Sequence, residues 1–170
     1  MRIFLDTPAG DCILAETALG IPHGPRVQGI HMNESRASAG WTTAAILVGR
    51  LVFTALFVMA VSFKLMDSHA TADQIAAAGF PLPTLLTWLA ILLELSLIAC
   101  FLTGAYFREA ALVAAAYVVF LGFGFHGPSH WAANQDEFGF FVDHFTFAAG
   151  LLFAAACGPG RVLALQRRVI

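Results

Sequence analysis

Asp143 and His144 lie side by side inside the apolar stretch FFVDHFTFAAGLL, residues 140–152. Because a charged residue in a membrane span is costly, it is expected to face the protein interior and to have a partner there. Lys64, the only lysine in the sequence, is the expected counter-ion of Asp143, and His126 is the expected neighbour of His144. We therefore expect these four residues to line one polar chamber near the outer face of a membrane.

Such a chamber could serve several kinds of chemistry. Histidine and aspartate take up and release protons, which suits a proton relay or the head group of a quinone. The simpler alternative is that both residues are structural, with satisfied hydrogen bonds. Haem ligation by the two histidines, or a metal site that includes His130, has less support because no further paired ligands frame them. The sequence therefore shows no metal site and no evident cofactor, with a quinone as the possible ligand.

A second pair of charges lies deeper in the apolar segments. Arg50 and Glu94 each lie roughly 14–15 Å from the cytoplasmic side, counted along their helices at about 1.5 Å per residue. Opposite charges at one depth lower each other's desolvation cost. The sequence thus predicts an Arg50–Glu94 ion pair, either as a structural latch that fixes helix register or as the polar wall of a ligand site.

The elements that position these residues are four long apolar segments. Only 12% of the residues are charged, whereas a soluble domain carries about 25%, and the mean hydropathy is +0.77. A bilayer is crossed by about 20 residues of helix, and an open sheet cannot satisfy its backbone in lipid. The predicted fold is therefore an all-α, integral membrane four-helix bundle with spans at 41–63, 82–104, 109–125 and 139–158.

The flanks of the spans predict the orientation and the limits of the membrane domain. Six arginines lie beside the predicted cytoplasmic ends and only Lys64 lies in the other loops, so both termini should be cytoplasmic. Residues 1–31 have neither helical periodicity nor a targeting pattern, and the stretch from Met32 resembles a polar start of a membrane protein, so residues 1–40 form a separate segment. We interpret them as a disordered extension or as a misassigned start with Met32 as the true initiator. Residues 41–160 form the membrane domain, and 161–170 form a basic cytoplasmic tail.

Two classes of function lack support in the composition. No basic patch with interleaved aromatic residues is present, so nucleic-acid binding is not expected. Cys12, Cys100 and Cys157 lie far apart without the paired spacing that a disulfide framework or a zinc site needs. A thiol couple within this chain is therefore not expected to carry its function.

Several short motifs occur in a characteristic order along the membrane part. They are GR at 49–50, KL at 64–65, AAAGFPLP at 76–83, LLELSLIACFLTG at 92–104, FREAALVAAAY at 107–117 and AGLLFAAACGPGR at 149–161. In this order and spacing the chain resembles the DoxX family of small four-helix membrane proteins. The resemblance covers about residues 44–161.

This resemblance implies a bacterial inner-membrane protein linked to redox chemistry. The family takes its name from a subunit associated with a terminal quinol oxidase and with thiosulfate:quinone oxidoreduction. The resemblance therefore implies an accessory or quinone-interacting subunit of a membrane redox complex, rather than a catalyst by itself. The alternatives are a non-enzymatic membrane scaffold and, with less support, a small-solute or lipid transporter. Internal repeats and broken helices, which transporters often show, are not visible.

Overall fold

The chain forms helices throughout the part that the structure describes. A computed structural model describes residues 28–132, 134–160, 162, 164 and 165, and contains no strand within them. The six helices are α1 (Gln28–Met66), α2 (Ser68–Ala77), α3 (Pro83–Thr103), α4 (Phe107–His126), α5 (Pro128–Trp131) and α6 (Asp136–Cys157). Among the described residues, four helices (α1, α3, α4 and α6) are long and apolar enough to cross a membrane. The predicted all-α membrane bundle is confirmed.

Local signals set most of the helix ends. Proline suits the first turn of a helix, where no backbone donor is needed, and Pro83 is the first residue of α3. Glycine followed by proline is expected to end a helix, and Gly158 follows the last residue of α6 with a φ of +80°. The stretch TADQIAAAG, residues 71–79, predicts a short surface helix capped by Thr71, but this cap is wrong. The helix begins earlier, and the Asp67 carboxylate accepts a bond from the amide of Ala70 at 2.9 Å.

The first helix begins earlier than the first predicted span. α1 starts at Gln28 rather than at residue 41, and its membrane-spanning part is Gly40–Met66. The predicted boundary after residue 40 is therefore not a helix boundary. Residues 1–27, including most of the predicted extension, lie outside the described residues, as does most of the predicted tail.

The bundle consists of two helix pairs. α1 packs along α3, and α4 packs along α6, whereas α3 touches α4 and α1 touches α6 over shorter stretches. Buried alanines of α4 face α6, and small residues let membrane helices approach closely. They are Ala110, Ala111, Ala114 and Ala115. We call the end where α3 and α6 finish the lower end, and the end that carries α2 and α5 the upper end.

A cluster of phenylalanines holds the two pairs together in the lower half. Phe53 and Phe57 of α1 contact the rings of Phe101 and Phe147 with centroids 5.3–6.3 Å apart. Aromatic pairs at such distances stabilise beyond the area that they bury. Below and above this cluster lie the two groups of charged residues that define the sites.

Candidate ligand-binding site

A buried ion pair connects the two first spanning helices near the upper end. The Nζ atom of Lys64 lies 2.8 Å from Oε1 of Glu94, and the hydroxyl of Tyr117 donates to the same oxygen at 2.9 Å. The Glu94 side chain is 1% exposed. Its other oxygen, Oε2, is buried and has no hydrogen-bond partner among the described residues. Lys64 and Tyr117, both partly exposed, thus form a triad with the buried Glu94, whose Oε2 is an acceptor with no partner in the described part of the chain.

The predicted Arg50–Glu94 ion pair is wrong, and the direction of side chains along a helix explains why. Side chains lean toward the amino terminus of their own helix. In the antiparallel helices α1 and α3, Lys64 therefore leans down and Glu94 leans up, so the two meet. A weak bond from Lys64 to the carbonyl of Ala60, at 3.4 Å, agrees with this direction. Arg50 leans away from Glu94 toward the lower end, where it reaches the carbonyl of Phe101, seven residues below Glu94 on α3.

Arg50 instead joins backbone carbonyls at the lower end. Its Nε and Nη2 atoms donate to the carbonyls of Phe101 and Leu102, and Nη1 donates to those of Pro159 and Val162, at 2.9–3.2 Å. Within the described residues, these five bonds engage all three nitrogens of the guanidinium. The last carbonyls of a helix lack partners within it and attract cations. Arg50 thus fastens the end of α3 to the segment that follows α6.

The two histidines lie together at the upper end. His126 Nδ1 lies 2.6 Å from an oxygen of Glu137, and the rings of His126 and His144 are 5.1 Å apart. His144 Nδ1 bonds the carbonyl of Phe140 at 2.7 Å. Since carboxylate and carbonyl oxygens only accept, both Nδ1 atoms carry hydrogen and each ring keeps Nε2 for another partner. Among the described residues, no three His, Cys, Asp or Glu side chains converge on a metal position.

Asp143 does not join this group. Its side chain is exposed on α6, and it makes no hydrogen bond or ion pair within the described part of the chain. The prediction that Lys64 is its counter-ion is wrong, because Lys64 is bound by Glu94. The sequence suggested an inward direction for Asp143 because Thr146, Gly150, Ala154 and Cys157 form a stripe of small residues on its side of α6. Of that stripe, Gly150 does face α1, where a Cβ atom would lie 3.2 Å from the ring of Phe53. Asp143 lies seven residues, about two turns, above Gly150, and its side chain there is exposed.

A cavity of about 440 Å³ lies in the upper half between α3 and α4, beneath α2. Apolar side chains, chiefly leucine and phenylalanine, form most of its wall. Its polar lining residues are Lys64, Thr71, Gln74, Tyr117, His126 and His144. Clefts of roughly 300–1,000 Å³ with an apolar wall and a few convergent polar groups are typical of small-molecule sites. The structure thus brings three of the four predicted chamber residues to one cavity and leaves out Asp143.

Two glycines permit the close approaches that shape the cavity. A Cβ atom on Gly122 of α4 would lie 3.1 Å from the Cβ of His144, so α4 and α6 meet closely there. A Cβ atom on Gly124 would lie 3.1 Å from the ring of Phe80. That ring follows α2 and packs on Phe120, with centroids 5.6 Å apart. These contacts fix the position of His144 and close the cavity above.

Sequence reasoning missed Tyr117 and Glu137. Tyr117 is one of two tyrosines in the chain and interrupts the apolar run of α4. A buried hydroxyl needs a partner, and a carboxylate on the preceding spanning helix was the available one. Glu137 lies in the first turn of α6 and looked like an ordinary helix-start acid. The chain between His126 and Glu137 turns back through the short helix α5, which brings the two side chains together. This helix was not predicted.

Four apolar helices around a buried ion pair and a cavity define a small multi-pass integral membrane protein. A model of the DoxX family matches residues 45–127. The chain is also similar to the inner membrane protein YphA of Escherichia coli (strain K12). The two are 26% identical over 127 residues, which cover 72% of this chain and 89% of YphA. No solved structure gives a significant match. The predicted resemblance to the DoxX family is thereby confirmed over residues 45–127.

Proposed function

We propose that this protein is an accessory subunit of a quinone-linked redox system in the bacterial inner membrane and that its cavity binds the quinone. The observation that carries the proposal is the apolar cavity in the upper half of the bundle, with polar groups at two levels. The ring of a quinone needs hydrogen-bonding groups, and its isoprenoid tail needs an apolar path to lipid. Lys64 and Tyr117 supply the first requirement, and the leucines and phenylalanines of α3 and α4 supply the second.

The cavity also has a route to the bilayer. Leu89 of α3 and Phe120 of α4 line it, yet both side chains are about half exposed on the lipid-facing surface. A tail can therefore leave between α3 and α4, where these helices touch over a short stretch. The histidines lie above, near the interface, where protons can be exchanged with water.

The location and orientation belong to the same proposal. YphA is an inner membrane protein, and the arginine distribution favours cytoplasmic termini. The upper end, with the cavity, then faces the periplasm. Reporter fusions at the carboxyl terminus test this orientation: a cytoplasmic fluorescent reporter should be active and a periplasmic phosphatase inactive, and the reverse result would contradict it.

The binding proposal is tested by extraction of quinone from protein purified in mild detergent. Ala90 lines the cavity, and Ala99 lies on the exposed face of the same helix. Ala90→Trp fills the cavity and should lower the quinone content at least tenfold, whereas Ala99→Trp should leave it unchanged. Protein that holds no quinone before substitution, or equal content in all three samples, would contradict the proposal.

A membrane scaffold without a ligand is the second candidate. The Arg50 network favours it, because it fastens the bundle through backbone carbonyls and does not line the cavity between α3 and α4. The exposed Asp143 also favours a scaffold, since a carboxylate on a lipid-facing helix is suited to contact a partner subunit. The two candidates separate in the extraction experiment: a scaffold retains no quinone, and Ala90→Trp would alter only its stability.

A further inference from the structure

The hydrogen-bonding polarity of the cavity wall indicates which redox form of the ligand it retains. We propose that the cavity binds a hydroquinone more tightly than the corresponding quinone, an inference that rests on the proposed quinone site. A quinone ring carries two carbonyl oxygens, which only accept hydrogen bonds. A hydroquinone carries two hydroxyls, which donate and accept. A wall rich in unused acceptors therefore favours the reduced ring.

Tyr117 presents an acceptor because its proton is already used. Its hydroxyl donates to Oε1 of Glu94, and the same oxygen is bound by Lys64. A carboxylate that is paired with an ammonium group cannot donate in return. The hydroxyl oxygen of Tyr117, a residue of the cavity wall, can then only accept. The other oxygen of the same carboxylate, Glu94 Oε2, is buried and has no hydrogen-bond partner among the described residues.

Two further acceptors lie higher in the cavity. His144 gives its Nδ1 hydrogen to the carbonyl of Phe140, so in the neutral ring Nε2 accepts. Thr71 of α2 donates its hydroxyl to the carbonyl of Asp67 at 3.1 Å, which leaves its oxygen as an acceptor. Each of these lining groups has a proton that is committed elsewhere.

The donors on the wall are fewer. Lys64 gives one hydrogen to Glu94 and directs a second toward the carbonyl of Ala60, so one remains for the cavity. Gln74 can donate or accept. A quinone would satisfy these donors and leave the acceptor oxygen of Tyr117 facing a carbonyl lone pair. A hydroquinone satisfies both kinds of group.

The heights of Tyr117 and His144 along the helix axis allow one hydroquinone ring to contact both. His144 lies against Gly122, five residues above Tyr117 on α4, which is about 8 Å along the helix axis. A ring with hydroxyls on opposite sides can reach between the two levels. One hydroxyl then donates to Tyr117 and accepts from Lys64, and the other donates to His144.

The inference is tested with a short-tailed benzoquinone and its hydroquinone, bound separately to the full-length purified protein under anaerobic conditions. We expect the hydroquinone to bind about tenfold more tightly, the effect of one or two unmatched buried acceptors. For a two-electron couple, tenfold tighter binding of the reduced form raises the midpoint potential of the bound pair by about 30 mV. Redox titration of the bound ligand measures this shift independently.

Variants test whether the preference for the hydroquinone comes from the residues that line the cavity. Tyr117→Phe removes the acceptor and should bring the two affinities within about twofold, whereas Tyr106→Phe, the other tyrosine, lies outside the cavity and should retain the preference. If Tyr117→Phe does not fold, Thr71→Val on the short helix α2 should lower the ratio. Three results would overturn the inference while leaving a quinone site intact. The unsubstituted protein could bind the two forms with equal affinity or bind the quinone more tightly, or the ratio of the two affinities could stay unchanged in every cavity variant. Binding of neither form would overturn the proposed function as well.

Discussion

The bundle contains two buried charged groups that differ in how completely their hydrogen bonds are satisfied. At the lower end, the Arg50 guanidinium makes five bonds to backbone carbonyls of the described residues and does not line the cavity between α3 and α4. In the upper half, Glu94 uses one oxygen twice, for the cavity residues Lys64 and Tyr117, and its other oxygen has no partner within the described chain. A buried charge with every bond satisfied is suited to hold a fold. A buried charge with an unfilled position is suited to receive a ligand.

The largest effect is expected from Arg50→Met. This change leaves the carbonyls of Phe101, Leu102, Pro159 and Val162 without their donor, and an unsatisfied buried group costs about 1–3 kcal/mol. We expect the free energy of unfolding to fall by at least about 3 kcal/mol, measured by thermal unfolding in detergent. Arg50→Lys keeps the charge with fewer donors and should be intermediate. Unchanged melting in Arg50→Met would remove the distinction between the two groups.

The second largest loss of stability is expected from Lys64→Met, which tests whether Lys64 is the partner of Glu94. Lys64→Met leaves a buried carboxylate without its cation and should cost about 3 kcal/mol of unfolding free energy. Adding Glu94→Leu should recover most of that loss, since replacing both charges by apolar groups is often neutral.

The same second change tests the alternative pairing. Glu94→Leu added to Arg50→Met should give an additive loss, because the two residues share no bond. Recovery in the Arg50 background and not in the Lys64 background would contradict the observed pairing. Thermal unfolding of the two double variants and their parents completes the comparison.

A smaller effect is expected where α4 and α6 meet at the cavity. Gly122→Ala places a methyl group 3.1 Å from His144 Cβ, and overpacking costs about 1–3 kcal/mol. Because this displaces His144, quinone content should fall together with stability. Gly139→Ala on α6 is the matched control, since a Cβ there meets nothing within 4 Å. It should raise stability by about 0.5–1 kcal/mol. Equal behaviour of the two variants would show that the close approach does not shape the cavity.

Much of the fold could be predicted because membrane spans depend on local composition. The four spans follow from apolar length, and Pro83 and Gly158 mark helix ends through backbone preferences that act within a few residues. The beginning of α1 could not be predicted, since residues 28–40 are polar and lack helical periodicity. The short helix α5 was missed because only four residues form it.

The site was predicted less well, and Lys64 shows the reason. Its place near Glu94 depends on which way each side chain leans along antiparallel helices, whereas depth alone suggested Arg50. The partners of Arg50 are backbone carbonyls at helix ends, which have no signature in residue type. His126 and His144 reach one cavity because Gly122 allows α4 and α6 to approach closely, a property of three-dimensional packing that their spacing does not contain.

The smallest effect is expected from Asp143→Asn, beside the cavity residue His144. Asp143 is exposed and has no partner within the described chain, and it leans toward the upper interface because side chains point to the start of their helix. Neutralising it should change the free energy of unfolding by less than about 0.5 kcal/mol, as for other surface positions. Quinone content should also be unchanged, whereas His144→Ala should lower it. A loss of ligand in Asp143→Asn equal to that in His144→Ala would extend the site across α6, against the geometry that separates these two neighbours.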